Sequence, residues 1–234
     1  MPDLLHPPGS PAPPELPVAS PSAPAPATRQ TYRHGDLRRA LLDAGVALAR
    51  EGGPQAVVLR EATRRAGVAP NAAYRHFDNR QDLLEAVRAV ALSEVAQAME
   101  AELAAVPATL APEEHARAGL RAVGVGYLRF AREETGLFRT AFAAAGDIGP
   151  GTPHHGQKAG ATGLDPFQLL GAALDRMVAA GVLPPERRPG AEFLAWSAVH
   201  GLALLVIDGP LARVVGPQMD RVAQRLLDMV EKGL

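Results

Sequence analysis

Residues 59–77 read LREATRRAGVAPNAAYRHF, two short helical segments on either side of a glycine. The first segment runs from Leu59 to Ala66 and the second from Pro70 to Phe77. Gly67 suits the left-handed residue that ends a helix, and Pro70 is tolerated in the first turn of the next one. Two helices joined by a three-residue turn predict a helix-turn-helix.

The outer surface of the second segment carries side chains that suit a DNA groove. Asparagine bonds bidentately to an adenine edge, and a small alanine approaches a thymine methyl. Tyrosine and histidine reach phosphates, which fix register rather than read sequence. The candidate DNA contacts are Arg33, Arg60, Pro70, Asn71, Ala72, Tyr74, Arg75, His76 and Arg80. These residues alone leave an alternative open, an arginine-rich solvated hairpin in which Tyr74 and Phe77 only pack.

Charge is segregated along the chain. From Arg29 to Arg80 there are ten arginines, no lysine and five acidic residues, although the whole chain has a formal net charge of −1. Such segregation indicates a basic module that meets a polyanion, attached to an acidic body with another task.

Apolar residues recur with helical spacing before and after this module. Asn79, with Asp82 three residues later, predicts the capped start of a long helix toward Leu103. The preceding helix is predicted from one apolar stripe, formed by Leu37, Leu41, Ala44 and Leu48. Further helices are predicted over about 112–134, 135–145, 164–181, 189–208 and 216–231, with a loop over 146–163. No period-two strand pattern occurs, so the predicted fold class is all-α.

The first 28 residues have a different composition. They contain ten of the 22 prolines, with alanine and serine between them. Such a segment cannot propagate a helix or bury much apolar area, which predicts a disordered or polyproline-like tail. Either it is an inert extension or it carries a short recognition motif.

Several classes of protein and site are disfavoured by composition. The absence of cysteine excludes a disulfide scaffold and a thiolate metal site. The longest nearly apolar run, 193–207, is shorter than a membrane span. The N-terminal residues show no basic stretch followed by an apolar segment, the pattern of a secretory signal, so we expect a cytoplasmic protein without a membrane partner. His154 and His155 are adjacent without a second ligand pair, so no metal is expected. There is no phosphate loop, nucleophile elbow or apolar carboxylate pair, so we expect neither an enzyme nor a cofactor.

The helix-turn-helix region resembles the N-terminal domain of TetR-family transcriptional regulators. The resemblance extends from Arg33-His34-Gly35-Asp36-Leu37 to Leu84 and includes Ala66-Gly67-Val68 and Tyr74-Arg75-His76-Phe77. Farther along, Trp196-Ser197-Ala198-Val199-His200-Gly201 resembles the Trp…His-Gly signature of one C-terminal domain class in that family.

The resemblance implies three regions and a function. Residues 1–28 are the tail, 29–80 the three-helix DNA-binding domain, and 81–234 a helical bundle for ligand binding and dimerisation. It implies a bacterial, nucleoid-associated repressor that binds a palindromic operator as a homodimer and responds to a small-molecule effector.

Three positions depart from the family pattern. Val58 stands where a capping Thr or Ser is usual, Ala69 where Ser precedes the recognition helix, and Arg80 where lysine is common. A lost cap costs about 1 kcal/mol, and each lost hydroxyl is expected to remove one phosphate contact. Arg60, Arg80 and two arginines that follow the tail, Arg29 and Arg33, are expected to offset the lost contacts.

The last two predicted helices have apolar faces that suit a partner helix. The candidate dimer interface comprises Leu202, Leu205, Met219, Val222, Leu226 and Met229. The candidate ligand contacts are Tyr127, Phe130, Phe138, Phe142, Phe167, Met177, Trp196 and His200. Aromatic residues at helical spacing also suit a plain core, and His200 also suits a core histidine bonded to backbone or to the Tyr127 hydroxyl.

Two other functions remain open from sequence. One is an all-helical ligand carrier or enzyme whose basic module is incidental. The other is an architectural DNA binder with a filled core and no ligand.

Deleting residues 1–28 should leave the melting temperature nearly unchanged, because a proline-rich tail contributes no core. Thermal unfolding of the full and shortened chains measures this. A drop of more than a few degrees would show that the tail docks on the body.

Overall fold

The computed structural model describes residues 34–143 and 158–234. Every regular element in these two ranges is helical, which confirms the all-α prediction. The α-helices are α1 (His34–Gly52), α2 (Leu59–Arg65), α3 (Pro70–Ala73), α4 (Arg80–Ala104), α5 (Pro112–Glu133), α6 (Thr135–Phe142), α7 (Pro166–Ala179), α8 (Ala191–Ile207), α9 (Ala212–Val215) and α10 (Met219–Gly233). The tail, Arg33, residues 146–157 of the predicted loop and the pair His154–His155 lie outside the described residues.

Helices α1, α2 and α3 form the predicted helix-turn-helix unit. Gly67 has a φ of +67°, the left-handed conformation expected of the turn. Helix α3 is shorter than predicted, because it ends at Ala73 instead of Phe77. The chain continues as a tight turn in which the His76 amide bonds to the Ala73 carbonyl at 2.9 Å.

Helix α4 begins where the sequence predicted. The Asn79 side chain accepts a hydrogen bond from the Asp82 amide at 3.0 Å, which caps the first turn. The helix then runs from the helix-turn-helix unit into the C-terminal part of the chain. Its buried residues pack against α1, α5, α6 and α7.

Helix α5 approaches α4 closely because glycine lies at their contact. A Cβ on Gly126 would lie 2.6 Å from the Ala98 carbonyl oxygen and 2.6 Å from the Met99 Cα. Backbone atoms at these positions leave no space for a side chain.

The remaining helices complete a bundle around α5. Helices α7, α8 and α10 all contact α5, and α7 starts with a capping box between Asp165 and Gln168. Among the described residues no single helix is long and apolar enough to cross a membrane. Two consecutive segments, Ala191–Ile207 and Ala212–Gly233, together have the length and apolar composition of a membrane span, but the chain bends by 94° between them.

We expect Gly126→Ala to destabilise the fold by about 1–3 kcal/mol, because the new methyl group forces α4 and α5 apart. Gly119→Ala on the same helix is the matched control, since its Cβ would meet only Leu103 Cδ2 at 3.8 Å. Replacing a helical glycine with alanine there should stabilise the fold by up to about 1 kcal/mol. Urea unfolding measures both changes, and equal effects would contradict the packing described here.

Candidate DNA-binding face and ligand cavity

The two aromatic residues after α3 have different environments. Phe77 is fully buried, with the Arg38 guanidinium carbon 5.1 Å from its ring centroid, whereas Tyr74 is 57% exposed. Asn71 and Arg75 are exposed as well. Among the described residues, no hydrogen-bond partner is found for the side chains of Asn71, Tyr74 or Arg75. Helix α3 and the turn after it therefore present an amide, a phenol and a guanidinium to solvent.

The other candidate DNA contacts lie around this face. Arg60 and Pro70 are exposed, and Ala72 and His76 are half-buried. An open groove beside α2 is lined by eight residues between Ala56 and Pro70, among them Arg60 and Pro70 themselves. Arg33 lies outside the described residues.

Arg80 has an intramolecular role. Its Nε donates to the Val57 carbonyl at 2.8 Å and its Nη2 to the Pro54 carbonyl at 2.6 Å. Both carbonyls belong to the connection between α1 and α2, so the guanidinium holds this connection against the start of α4. A phosphate contact by Arg80 stays a prediction.

Acidic side chains engage two further arginines of α2. Arg64 bonds to Glu61 at 2.6 Å, and Arg65 bonds to Glu51 at 2.5 Å. The hydrogen bonds from Arg64, assisted by Arg65, lower the pKa of Glu61 to about 2. Ion pairs therefore neutralise part of the positive charge counted in the sequence. Arg38, Arg60, Arg75 and Arg80 have no ion-pair partner among the described residues.

The two helices of the motif lack side-chain caps, as their sequences indicated. Val58 and Ala69 precede α2 and α3, and neither start has a side-chain cap bond. Thr63 is buried and its hydroxyl donates to the Arg60 carbonyl at 2.7 Å, so it offers nothing to a phosphate.

A narrow apolar cavity lies inside the C-terminal bundle. Its volume is about 40 Å³, and it is bounded by α4, α5, α6, α7, α8 and α10. Its described lining is Leu92, Met99, Leu120, Arg121, Val123, Gly124, Tyr127, Phe142, Pro166, Phe167, Leu170, Ala195, Trp196, Val199, Leu227, Val230 and Glu231.

Tyr127 connects the cavity wall to His200. Its hydroxyl lies 2.7 Å from His200 Nδ1 and accepts a hydrogen bond from Trp196 Nε1 at 3.2 Å. Burial lowers the pKa of His200 and raises the pKa of the Tyr127 hydroxyl well above its ordinary value. Both side chains are therefore neutral at pH 7.

Some of the predicted ligand contacts line the cavity, and the others lie behind its wall. Tyr127, Phe142, Phe167 and Trp196 line it, whereas His200 is half-buried behind Tyr127 with its ring centroid 4.9 Å from that of Phe142. The remaining candidates are buried away from the cavity wall, namely Phe130, Phe138 and Met177.

Sequence reasoning missed the wall supplied by α10. Leu227 and Val230 face the cavity, and Leu227 sits so close to Gly124 that a Cβ there would overlap it. The signal was a second apolar spacing in α10, through Ala223, Leu227 and Val230, beside the stripe chosen for the dimer.

Ion pairs join α5 to α10 at the edge of this wall. Arg121 bonds to Asp228 at 2.5 Å and to Glu231 at 2.9 Å, and Arg117 bonds to Glu231 at 2.9 Å. No group of three or more metal-ligating side chains occurs within residues 34–143 and 158–234.

The candidate dimer residues divide by exposure. Leu202 and Met219 are buried in the chain's own core, Val222 and Leu226 are half-buried, and Leu205 and Met229 are 43% and 60% exposed. Further exposed apolar side chains lie on α8, at Phe193, Leu194 and Leu204.

Two sequence families match the chain over separate ranges. Residues 41–87 match the family described as "Bacterial regulatory proteins, tetR family". Residues 120–230 match the one described as "Tetracyclin repressor-like, C-terminal domain". No curated protein matches the chain.

Solved structures share this fold. A protein of unknown function from Rhodococcus sp. RHA1 is 27% identical, with a TM-score of 0.68 over 88% of this chain and 99% of that one. The TetR-family regulator PfmR from Thermus thermophilus is 21% identical, with a TM-score of 0.51 over 83% and 98%. TetR-Q116A from Acinetobacter baumannii AYE, in complex with minocycline, is 20% identical, with a TM-score of 0.53 over 84% and 91%.

The helix-turn-helix, the helical bundle behind it and the two sequence matches agree in order and position. The two matches together span more than half of the chain. The chain therefore belongs to the TetR family of bacterial regulatory proteins.

Proposed function

We propose that this protein is a ligand-responsive repressor that binds a near-palindromic operator as a homodimer. It acts on the chromosome in the cytoplasm, and a small molecule in the bundle cavity releases it from DNA. Residues 29–80 read the operator, and residues 81–234 bind the effector and the second subunit.

The exposed, unpartnered side chains of α3 and its following turn carry this proposal. Asn71, Tyr74 and Arg75 extend into solvent from a short helix on a rigid core, which is the arrangement needed to enter a major groove. In this arrangement Asn71 contacts a base edge, and Tyr74 and Arg75 contact the backbone. Arg60 adds charge at the start of α2.

The exposed apolar face of α8 supports dimerisation. Leu194, Leu204 and Leu205 are 67%, 40% and 43% exposed and recur at helical spacing on one side of the helix. Gly201 lies between them, and a Cβ there would meet nothing within 4 Å, so a partner helix can approach closely. We place the interface on this face and on the exposed edge of α10 at Met229, because Leu202 and Met219 are occupied within the chain.

Helix α6 offers a route from the cavity to the DNA-binding unit. Phe142 at its end lines the cavity, while a Cβ on Gly136 at its start would overlap the carbonyls of Ala49 and Arg50 in α1. Buried Arg88 of α4 donates from Nε to the Ala141 carbonyl at 3.0 Å. A ligand that displaces Phe142 therefore pushes on α1 and α4, which changes the spacing of the two recognition helices in a dimer.

Operator selection from random duplexes tests the function as a whole. We expect a near-palindrome with half-sites about 34–36 Å apart, and an affinity that falls steeply as salt concentration rises. Binding without sequence preference would favour an architectural role. Failure to bind duplex DNA at low salt would favour the helical ligand carrier.

Asn71→Ala and Tyr74→Phe should affect DNA binding in different ways. Loss of the amide should relax preference at one base position by about 1–3 kcal/mol, because asparagine reads a base edge. Loss of the phenol hydroxyl should weaken binding to all sequences about equally, because a phosphate carries no sequence information. Titrations of both variants against the operator and its single-base variants measure this, and the reverse pattern would contradict the orientation of α3.

Leu194→Glu combined with Leu205→Glu should produce monomers, because a two-fold interface would bury the new carboxylates against their mates. The monomers should keep their helical content, since both side chains are already exposed, and should lose specific operator binding. The control is Val58→Glu, an apolar-to-acidic change at a residue that is 41% exposed beside α2, and it should leave the dimer intact. Sedimentation reports the oligomeric state, and a dimeric double variant would place the interface elsewhere.

A further inference from the structure

We propose that the bundle cavity binds a neutral, largely apolar molecule with one carbonyl or hydroxyl oxygen, and that the Tyr127 hydroxyl recognises this oxygen. The inference rests on the proposed ligand response and specifies the chemistry of the ligand.

The described residues of the cavity wall offer no unpaired charged side chain to a ligand. Among the described lining residues only Arg121 and Glu231 are charged, and they bond to each other at 2.9 Å. Arg121 is further paired with Asp228, and Glu231 with Arg117. A charged ligand would have to lose its hydration against aliphatic and aromatic side chains without gaining a free counter-ion, which is costly.

Tyr127 supplies the only hydroxyl among the described lining residues, and its hydrogen-bonding capacity is incompletely used. A phenol has one donor and two acceptor sites, and one acceptor site takes the Trp196 N–H. If His200 Nδ1 carries no proton, the Tyr127 hydroxyl donates to it and keeps one acceptor site for a ligand hydroxyl. If Nδ1 carries the proton, His200 donates to Tyr127, whose own O–H is then free for a ligand carbonyl.

Both arrangements are compatible with neutral side chains, so the pair can adapt to either kind of oxygen. Switching between them needs only the proton of a neutral imidazole to move from one ring nitrogen to the other. His200 lies behind Tyr127 and acts as a positioning residue that orients the hydroxyl.

The rest of the ligand must be apolar and must displace part of the wall. A cavity of about 40 Å³ is much smaller than a molecule of nine or ten carbons. Leu227 of α10 is one side chain that must move, in addition to Phe142 of α6, because it fills the space over Gly124. Leu227→Ala should therefore increase the affinity for such a molecule.

Four probes with the same nine-carbon chain test the ligand class on the full-length protein without DNA. They are 2-nonanone, 2-nonanol, nonanoate and nonyltrimethylammonium. Trp196, the only tryptophan of the chain, lines the cavity and reports binding by fluorescence. We expect the ketone and the alcohol to bind, and the two ions to bind about tenfold more weakly or worse. Ions that bind as tightly as the ketone, or a protein that binds none of the four, would overturn the proposal.

Tyr127→Phe tests the recognising group. It should weaken ketone binding about 3- to 10-fold, the effect of one hydrogen bond. Tyr74→Phe removes the same atom from an exposed ring far from the cavity lining and is the matched control. It should leave the ketone affinity, measured without DNA, at the wild-type value, although we expect it to weaken DNA binding. A second readout is the infrared carbonyl band of bound 2-nonanone, which should shift to lower frequency in the wild type and return in Tyr127→Phe. An unshifted band in the wild type, or unchanged ketone affinity in Tyr127→Phe, would contradict the role of Tyr127.

A separate operator titration distinguishes this inference from the proposed function. Tyr127-dependent ketone binding by a protein that ignores DNA would remove the repressor and leave the ligand class intact. Specific DNA binding without ketone binding would remove the ligand class alone.

Discussion

Burial of α4 between α1, α5 and α6 is the constraint on which the other elements depend. Its first turn holds the α1–α2 connection through Arg80, and its later turns pack against Gly126 of α5 at backbone distance. Leu92 at its middle and Met99 in its later turns line the cavity. One helix thus packs in both the helix-turn-helix unit and the C-terminal bundle.

The arginines show how little a local charge count says about function. Arg65 pairs with Glu51 and Arg50 with Glu94 and Glu134, each within the molecule. Exposed ion pairs of this kind add little stability, but they orient side chains and remove charge from the surface. Among the described residues of the helix-turn-helix unit, Arg38, Arg60, Arg75 and Arg80 keep a positive charge without an ion pair, and all but Arg80 are exposed.

The cavity combines an apolar wall with a small buried hydrogen-bond network. Trp196, Tyr127 and His200 satisfy one another, which removes the cost of burying three polar groups while leaving one site on Tyr127. The aromatic rings around them are in contact with one another, as with Phe138 and Phe142 at 4.9 Å between centroids. Tyr127 is therefore a buried core residue that also lines the cavity. The two sequence interpretations of the aromatic residues, ligand contact and plain core, do not exclude each other.

Local sequence determined the helix-turn-helix, the Asn79 cap and most helix bounds, because glycine, proline, caps and apolar spacing act over a few residues. Tertiary structure decided what those patterns cannot encode. It shortened α3 to four residues, turned Arg80 inward to carbonyls more than twenty residues away, and buried Leu202 and Met219 in the core. It also placed Leu227 opposite Gly124 and Tyr127 against His200, pairs that are 103 and 73 residues apart. Helical periodicity indicates which apolar residues share a face of a helix. Where a helix has two apolar faces, only the packing of whole helices decides which face meets the core.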